Sequence, residues 1–187
     1  MDEIRVLSPT GALGSGYLET SLETALGWKP DFIGCDAGST DPGPAYLGTG
    51  KPAFPREAVK RDVRLMLKGA RRLKVPLMIG SANTAGGDVH LAGLVAIVRE
   101  VAAEEKLSFR MAVIHSEQKK DYLKMRLKEG RIKPLDPAPE FNEAVIDHSE
   151  CIVGMMGAEP FMHALKEGAE VIIAGRASDT AIFAPCR

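Results

Sequence analysis

No apolar run in this chain is long enough to cross a bilayer: the longest strongly apolar helical stretch, Leu91 to Val98, falls far short of the ~20 residues a span requires. The amino terminus reads Met1, Asp2, Glu3, Ile4, without a basic segment or an apolar core, and so predicts a cytoplasmic protein with no secretory signal and no membrane partner. Cysteine is scarce. Cys35, Cys151 and Cys186 are odd in number, widely spaced and free of any C-x-x-C pair, which argues against a disulfide framework or a structural zinc site and for reduced thiols. Neither sign of charge dominates, since 24 Lys and Arg face 25 Asp and Glu and leave a formal net charge of -1. Binding a duplex takes an uncompensated basic excess to neutralise phosphates, so nucleic acid is not an expected partner. Repeats of fixed period are absent as well.

What is present is an ordinary globular composition, 45% hydrophobic and 26% charged over 187 residues. A compact domain of this length buries roughly 70% of the surface its unfolded chain exposes, so a single domain over residues 1–187 needs no disulfide or metal to hold its core. Short apolar runs alternate with longer amphipathic ones from end to end. The short runs predict six strands: Ile4 to Ser8, Asp31 to Asp36, Val75 to Gly80, Phe109 to His115, Cys151 to Met156 and Glu170 to Ala174. Apolar positions at 3- and 4-residue spacing, with glycine stops, predict helices over Leu18 to Leu26, Pro55 to Lys74, Asp88 to Lys106, Glu117 to Glu129 and Glu159 to Glu167, plus a short one around Glu143 to Asp147. The stretch Ala37 to Phe54 is rich in Gly and Pro and reads as a long loop of the kind that covers a site.

Apolar strands, each followed by an amphipathic helix, are the mark of a parallel sheet covered on both faces. The expected fold is therefore α/β, a doubly wound, mostly parallel sheet of about six strands with helices on both faces in a Rossmann-like three-layer arrangement. Right-handed crossovers bring every strand-to-helix loop of such a fold to the carboxyl edge of the sheet, where ligands bind. Six loops fall there: Ser8 to Tyr17, Asp36 to Gly50, Ser81 to Asp88, His115 to Glu117, Gly157 to Pro160 and Gly175 to Thr180.

In the first loop, Thr10-Gly11-Ala12-Leu13-Gly14-Ser15-Gly16 follows a strand, and Asp36 ends the next strand 20 residues after Gly16, where a dinucleotide site has its ribose-binding acid. The glycine order, G-x-x-G-x-G, is not the dinucleotide order, and Tyr122 is followed by Arg126 where a short-chain dehydrogenase needs Lys. NAD or NADP is accordingly not the favoured cofactor, and a tight turn with positive φ is the simpler account of these glycines. The Ser81 to Gly87 loop can present backbone N–H groups to an anion at a helix start, but Asp88 is expected to cap those donors itself. His115 is placed as a general base or metal ligand, or as a structural histidine bonded to a neighbouring loop. A divalent metal on Asp36, Asp41, His115 or Asp179 would suit oxygen ligands, although no compact spacing motif demands one. Arg176 can clamp a substrate carboxylate or thioester, or pair internally with Asp179. The basic stripe Lys60, Arg64, Lys68 and Arg71 reads as a solvated helix face rather than a surface for an acidic ligand.

Together, the segments Pro30 to Pro44 (PDFIGCDAGSTDPGP), Gly80-Ser81-Ala82 through Gly86-Gly87-Asp88, Ile114-His115-Ser116-Glu117, Gly154 to Pro160 (GMMGAEP) and Gly175-Arg176-Ala177-Ser178-Asp179 resemble the acyclic terpene utilisation A family over nearly the whole chain. They coincide with the strand-end loops selected above on physical grounds. The resemblance implies a part in bacterial catabolism of acyclic terpenoids, whose intermediates are branched acyl-CoA esters. Two departures stand out: Asn83 occupies a position where glycine is expected, and the chain stops at Ala184-Pro185-Cys186-Arg187 where similar proteins continue. It therefore reads as the amino-terminal domain of a longer architecture. Thr180 to Arg187 reads as an unfinished helix, leaving a sheet face near the sixth strand for a partner to cover. A homo-oligomer, or completion by a carboxyl-terminal domain or partner chain, is the corresponding expectation.

The function expected is that of an enzyme domain using acid–base chemistry of the hydratase, lyase or hydrolase kind on a small carboxylate or acyl-CoA-type substrate. Asp36, His115 and Asp179 are the expected proton-transfer groups. Arg176 is the expected carboxylate anchor, and Ser39, Thr40, Asp41, Ser81, Thr84, Glu159 and Ser178 are the other expected substrate contacts. The alternatives are a non-catalytic binding domain or subunit completed by another chain and, third, a nicotinamide-dependent oxidoreductase.

Overall fold

The computed structural model describes residues 3–38 and 43–184; Ser39, Thr40 and Asp41, three of the expected substrate contacts, and the Cys186 thiol lie outside the described residues. Among the described residues five strands form one sheet, β1 (Val6–Leu7), β2 (Phe32–Gly38), β3 (Leu77–Thr84), β4 (Met111–Ile114) and β5 (Val171–Ala174). All pairs are parallel and the spatial order is β1-β2-β3-β5-β4. The helices are α1 (Glu19–Gly27), α2 (Ala45–Thr49), α3 (Arg56–Leu73), α4 (Asp88–Glu104), α5 (Lys120–Lys128), α6 (Glu143–His148) and α7 (Glu159–Lys166), followed by a 3-10 turn at Asp179–Ile182.

The alternation of strand side chains sorts the core into two. Ile33, Cys35, Leu77, Ile79, Val171 and Ile173 face one way, onto Leu22 and Leu26 of α1, Val63 and Met66 of α3, and Leu94 and Val98 of α4. Phe32, Met78, Ile172 and Ala174 face the other way, onto Phe161 and Ala164 of α7 and Ile182. Right-handed crossovers explain the division. The chain steps from β1 to β2 to β3 to β4 in one direction, which puts α1, α3 and α4 on one face, and then returns to β5, which puts α7 on the other.

The basic stripe on α3 turns toward α4 rather than standing free in solvent. Lys60 reaches Glu104 at 2.7 Å, Lys68 reaches Glu105 at 3.0 Å, and Arg64 reaches Glu105 at 3.2 Å. Arg71 pairs instead with Glu170. The stripe thus joins two helices that pack side by side on the sheet.

Three expectations are corrected. Cys151 to Met156 is not a sixth strand; the segment makes only isolated bridges, Glu117 with Val153 and Met156 with Ala177. β5 already lies between β3 and β4, so no interior place remains, and Gly154 adds no side chain with which to hold a sheet face. The segment crosses the carboxyl edge instead, through Gln118 N–H to Ile152 O and Gly154 N–H to Ser116 O. Second, the sheet at β5 is not left open. Val171–Ala174 is buried throughout, and Ile182 and Phe183 lie so close over Gly80 and Gly34 that a Cβ at either glycine would meet them at 2.6 Å. Third, the long loop before α3 contains the one-turn helix α2, which no apolar periodicity announces.

Candidate functional site

The reversal of strand order singles out one crevice. The connection leaving β3 runs to α4 on one face, and the connection leaving the neighbouring β5 runs to the 3-10 turn on the other, so the loops separate at this point of the carboxyl edge. Ligands of open α/β sheets bind at such switch points. Here Arg176, only 5% exposed, bridges the two strand ends. Its Nη1 donates to Ser81 Oγ at 3.2 Å and its Nη2 to Thr84 O at 2.7 Å.

The end of β3 that Arg176 holds is strained. Ser81, Asn83 and Thr84 have φ of 51°, 47° and 85°, all in the left-handed region, and the register with β2 shifts between Asp36 and Gly38. A β-branched residue such as Thr84 is a rare occupant of that region, at a cost of roughly 1–3 kcal/mol, and persists only where its surroundings over-determine it. They do so here. Ala53 N–H donates to Thr84 Oγ1 at 2.9 Å, Asn83 Nδ2 donates to His90 O at 3.0 Å, and Ser81 Oγ donates to Ala177 O at 3.1 Å. Gly38 is required alongside, because a Cβ there would lie 2.2 Å from Thr84 O.

Ser116 ties a third strand end to the same point. Its Oγ donates to Gly86 O at 2.7 Å and accepts from Arg176 N–H at 2.7 Å. Asp36, near the end of β2 and 9% exposed, lies close enough to Ser81 and Arg176 to feel both, with Gly38 N–H donating to its Oδ1 at 3.4 Å. Burial and the neighbouring Asp179 carboxylate push the Asp36 carboxyl up to about 6, against the opposing pull of Gly38 N–H, Ser81 and Arg176. Burial pulls the Arg176 guanidinium down, while Asp36 and Asp179 counteract. Arg176 also lines a cleft of about 360 Å³, together with Pro44, Tyr46, Leu47, Val153 and Met155. A carboxyl titrating near neutrality can both give and take a proton, and a guanidinium in an apolar recess can orient a carboxylate.

Of the expected site residues, Asp36, Ser81, Thr84 and Arg176 come together here, with exposed Asp179 near enough to act on Asp36 and Arg176 through its charge. His115 does not join them. Along β4, Met111 and Val113 face the α4 side and His115 continues that alternation, whereas Asp36 follows Phe32 and Gly34 onto the α7 side. The His115 side chain is 65% exposed and its Nδ1 lies 2.9 Å from Asp88 Oδ1, making a second pair at the start of α4. Glu159 opens α7 at the surface, and the Ser178 hydroxyl bonds the Thr180 hydroxyl at 3.2 Å.

Three residues outside the expected set carry this architecture: Ser116, Glu117 and Asp62. Asp88 does not cap α4 as expected. Its N–H donates to Glu117 Oε2 at 2.8 Å, so the cap comes from another loop. Asp62, fully buried on α3, accepts from Gly14 N–H at 3.0 Å and Gly16 N–H at 3.1 Å through the same oxygen. A carboxylate of the chain thus already occupies the ring of donors on which a dinucleotide reading stood. Among the described residues no three His, Cys, Asp or Glu side chains are grouped so as to hold a metal ion. Cys35 and Cys151 are free thiols, both pushed up by burial.

These features define an α/β protein with an all-parallel sheet and a cleft at its topological switch point. The chain belongs to the acyclic terpene utilisation family: the family described as acyclic terpene utilisation family protein AtuA matches residues 66–186. The matched span contains the Ser81, His115 and Arg176 loops and begins after Asp36. No curated protein and no solved structure matches the chain. No helix among the described residues is long and apolar enough to cross a membrane.

Proposed function

We propose that the switch-point cleft is the active site of an enzyme domain that moves protons on a small carboxylate or acyl-CoA-type metabolite, by chemistry of the hydratase, lyase or hydrolase kind. The observation that carries this reading is the buried Asp36 carboxyl, pushed up to about 6, next to the buried Arg176 guanidinium that lines the cleft. A general acid–base group works best with its pKa near the operating pH. In this reading Asp36 transfers the proton, Asp179 tunes it, and Arg176 orients the substrate. His115, paired with Asp88 on the far side of the β4 end, is a separate candidate base. Family membership supports a place in acyclic terpene utilisation. The test is turnover of short-chain carboxylates and thioesters followed by NMR. Asp36→Asn is expected to lower the rate by about 10²–10⁴ and to remove the limb of the pH–rate profile near 6. An unchanged rate and profile would remove Asp36 from the chemistry.

A second reading is a binding subunit completed by a second copy or another chain. It draws on the apolar groove of about 790 Å³ along β1, where Ile4, Val6 and Trp28 are exposed, Trp28 by 68%. Light scattering on the eluting protein separates the two, since a monomer at all concentrations counts against self-association.

A further inference from the structure

The charges around the cleft are unequal, and this bears on the form in which a substrate arrives. Among the described residues that line it, Arg176 is the only cation. Two of its five N–H groups are engaged, by Ser81 Oγ and Thr84 O, which leaves donors for one carboxylate. The rest of that lining is apolar in the main: Pro44, Tyr46, Leu47, Val153 and Met155. At about 360 Å³ the cleft is at the low end of the roughly 300–1,000 Å³ typical of small-molecule pockets.

Carboxylates crowd the surroundings. Asp36 and the exposed Asp179 act on Arg176 through their charge. The recess next to the cleft, which shares Leu47 with it, is lined by Glu117 and exposed Glu150, and together with Asp88 these two carboxylates help push the Cys151 thiol up. Of residues 43–54, which carry the lining positions Pro44, Tyr46 and Leu47, Lys51 is the single basic one. A coenzyme A thioester brings several phosphate charges on a long tail, and a tail leaving the cleft past the shared Leu47 runs along the recess that Glu117 and Glu150 line. Low-dielectric walls focus the field of such a rim, so repulsion of a polyanion extends beyond direct contact.

We propose that the cleft takes its substrate as a free, singly charged carboxylate with a compact apolar chain, and that the acidic rim discriminates against the coenzyme A thioester of the same acid. The attraction comes from Arg176 and the rejection from Asp179, Glu117 and Glu150, so specificity has both a positive and a negative element. The location rests on the acid–base reading of this cleft, but the claim concerns binding alone, which calorimetry measures without turnover.

Titrating the whole chain with hexanoate, hexanamide, hexanoyl-CoA and coenzyme A tests it. Hexanoate is expected to bind at least about tenfold tighter than hexanamide, and hexanoyl-CoA no tighter than coenzyme A alone. Raising the salt from about 0.01 M to about 0.15 M shortens the screening length from about 30 Å to about 8 Å. That change is expected to weaken hexanoate and strengthen hexanoyl-CoA, a pattern that steric exclusion does not produce. Glu150→Gln should narrow the gap between acid and thioester, and Arg176→Gln should abolish the preference for acid over amide. Because Arg176 also holds the strained end of β3, the ligand series on the unaltered protein is the deciding measurement. Tightest binding by hexanoyl-CoA, equal binding of acid and amide, or no binding of the acid each overturns the proposal. Hexanoate binding with undiminished turnover in Asp36→Asn would sink the acid–base reading and leave this one standing.

Discussion

Asp36 shows how a single carboxyl records the demands of a site. Its folded pKa near 6 lies above the ordinary 3.8, so the folded state holds this proton more tightly than the unfolded chain does. The resulting stabilisation is fully present below about 3.8 and is lost as the pH rises through about 6, a change on the order of 2–3 kcal/mol. Asp36→Asn, neutral at every pH, is expected to lack this component and to be more stable than the parent above pH 6. Urea midpoints measured across that range check the sign, and parallel pH profiles for the two proteins would refute it. A site residue that costs stability in its working state is what a trade between stability and activity predicts. Ser116 carries the opposite lesson. Nothing in Ile114-His115-Ser116-Glu117 distinguishes it from its neighbours, yet it bonds both Gly86 and Arg176.

At the scale of elements, the connections rather than the regular segments decide what the edge of the sheet can do. The loop from Thr10 to Gly16 has the glycines of an anion cradle, and α3 fills it with Asp62. Asp62→Ala leaves the buried Gly14 N–H and the part-buried Gly16 N–H without their partner and is expected to destabilise the fold by about 2–4 kcal/mol. A denaturation midpoint close to that of the parent would show that water replaces the carboxylate. The α4 start follows the same logic, with Glu117 reaching across from the loop after β4. The segment 151–156 has the composition of a strand, but with both interior neighbours taken it becomes a wall of the cleft, where Val153 and Met155 supply apolar surface.

For the whole molecule, two cores of unequal size lie on opposite faces of one sheet. The larger is built by three helices, the smaller by α7 and the 3-10 turn around Phe32 and Phe161. Phe161, fully buried, contributes much of the smaller core, so Phe161→Ala is expected to cost about 3–5 kcal/mol. Val6→Ala, on an exposed edge strand, is expected to stay within about 0.5 kcal/mol. Chemical denaturation of both variants measures the contrast, and equal losses would mean that α7 is not part of the cooperative fold. The one-way march from β1 to β4 and the return to β5 create both the second core and the crevice beside it.

The amino-acid sequence by itself determined the fold class, the positions of α1, α3, α4 and α7 to within a residue or two, and the family. Apolar periodicity and glycine stops are local signals, and Leu77, Ile79, Val63 and Met66 carry them without reference to anything distant. The same locality explains the strand read at Cys151 to Met156 and the helix start set too early at Glu117. Which strand-end residues meet was decided only by the tertiary structure. Asp36, Ser81, Thr84 and Arg176 converge because β2, β3 and β5 are neighbours, and His115 parts from them because an alternation of one residue reverses a side chain's face. Strand order and facing depend on crossovers of the entire chain, so no window of sequence contains them.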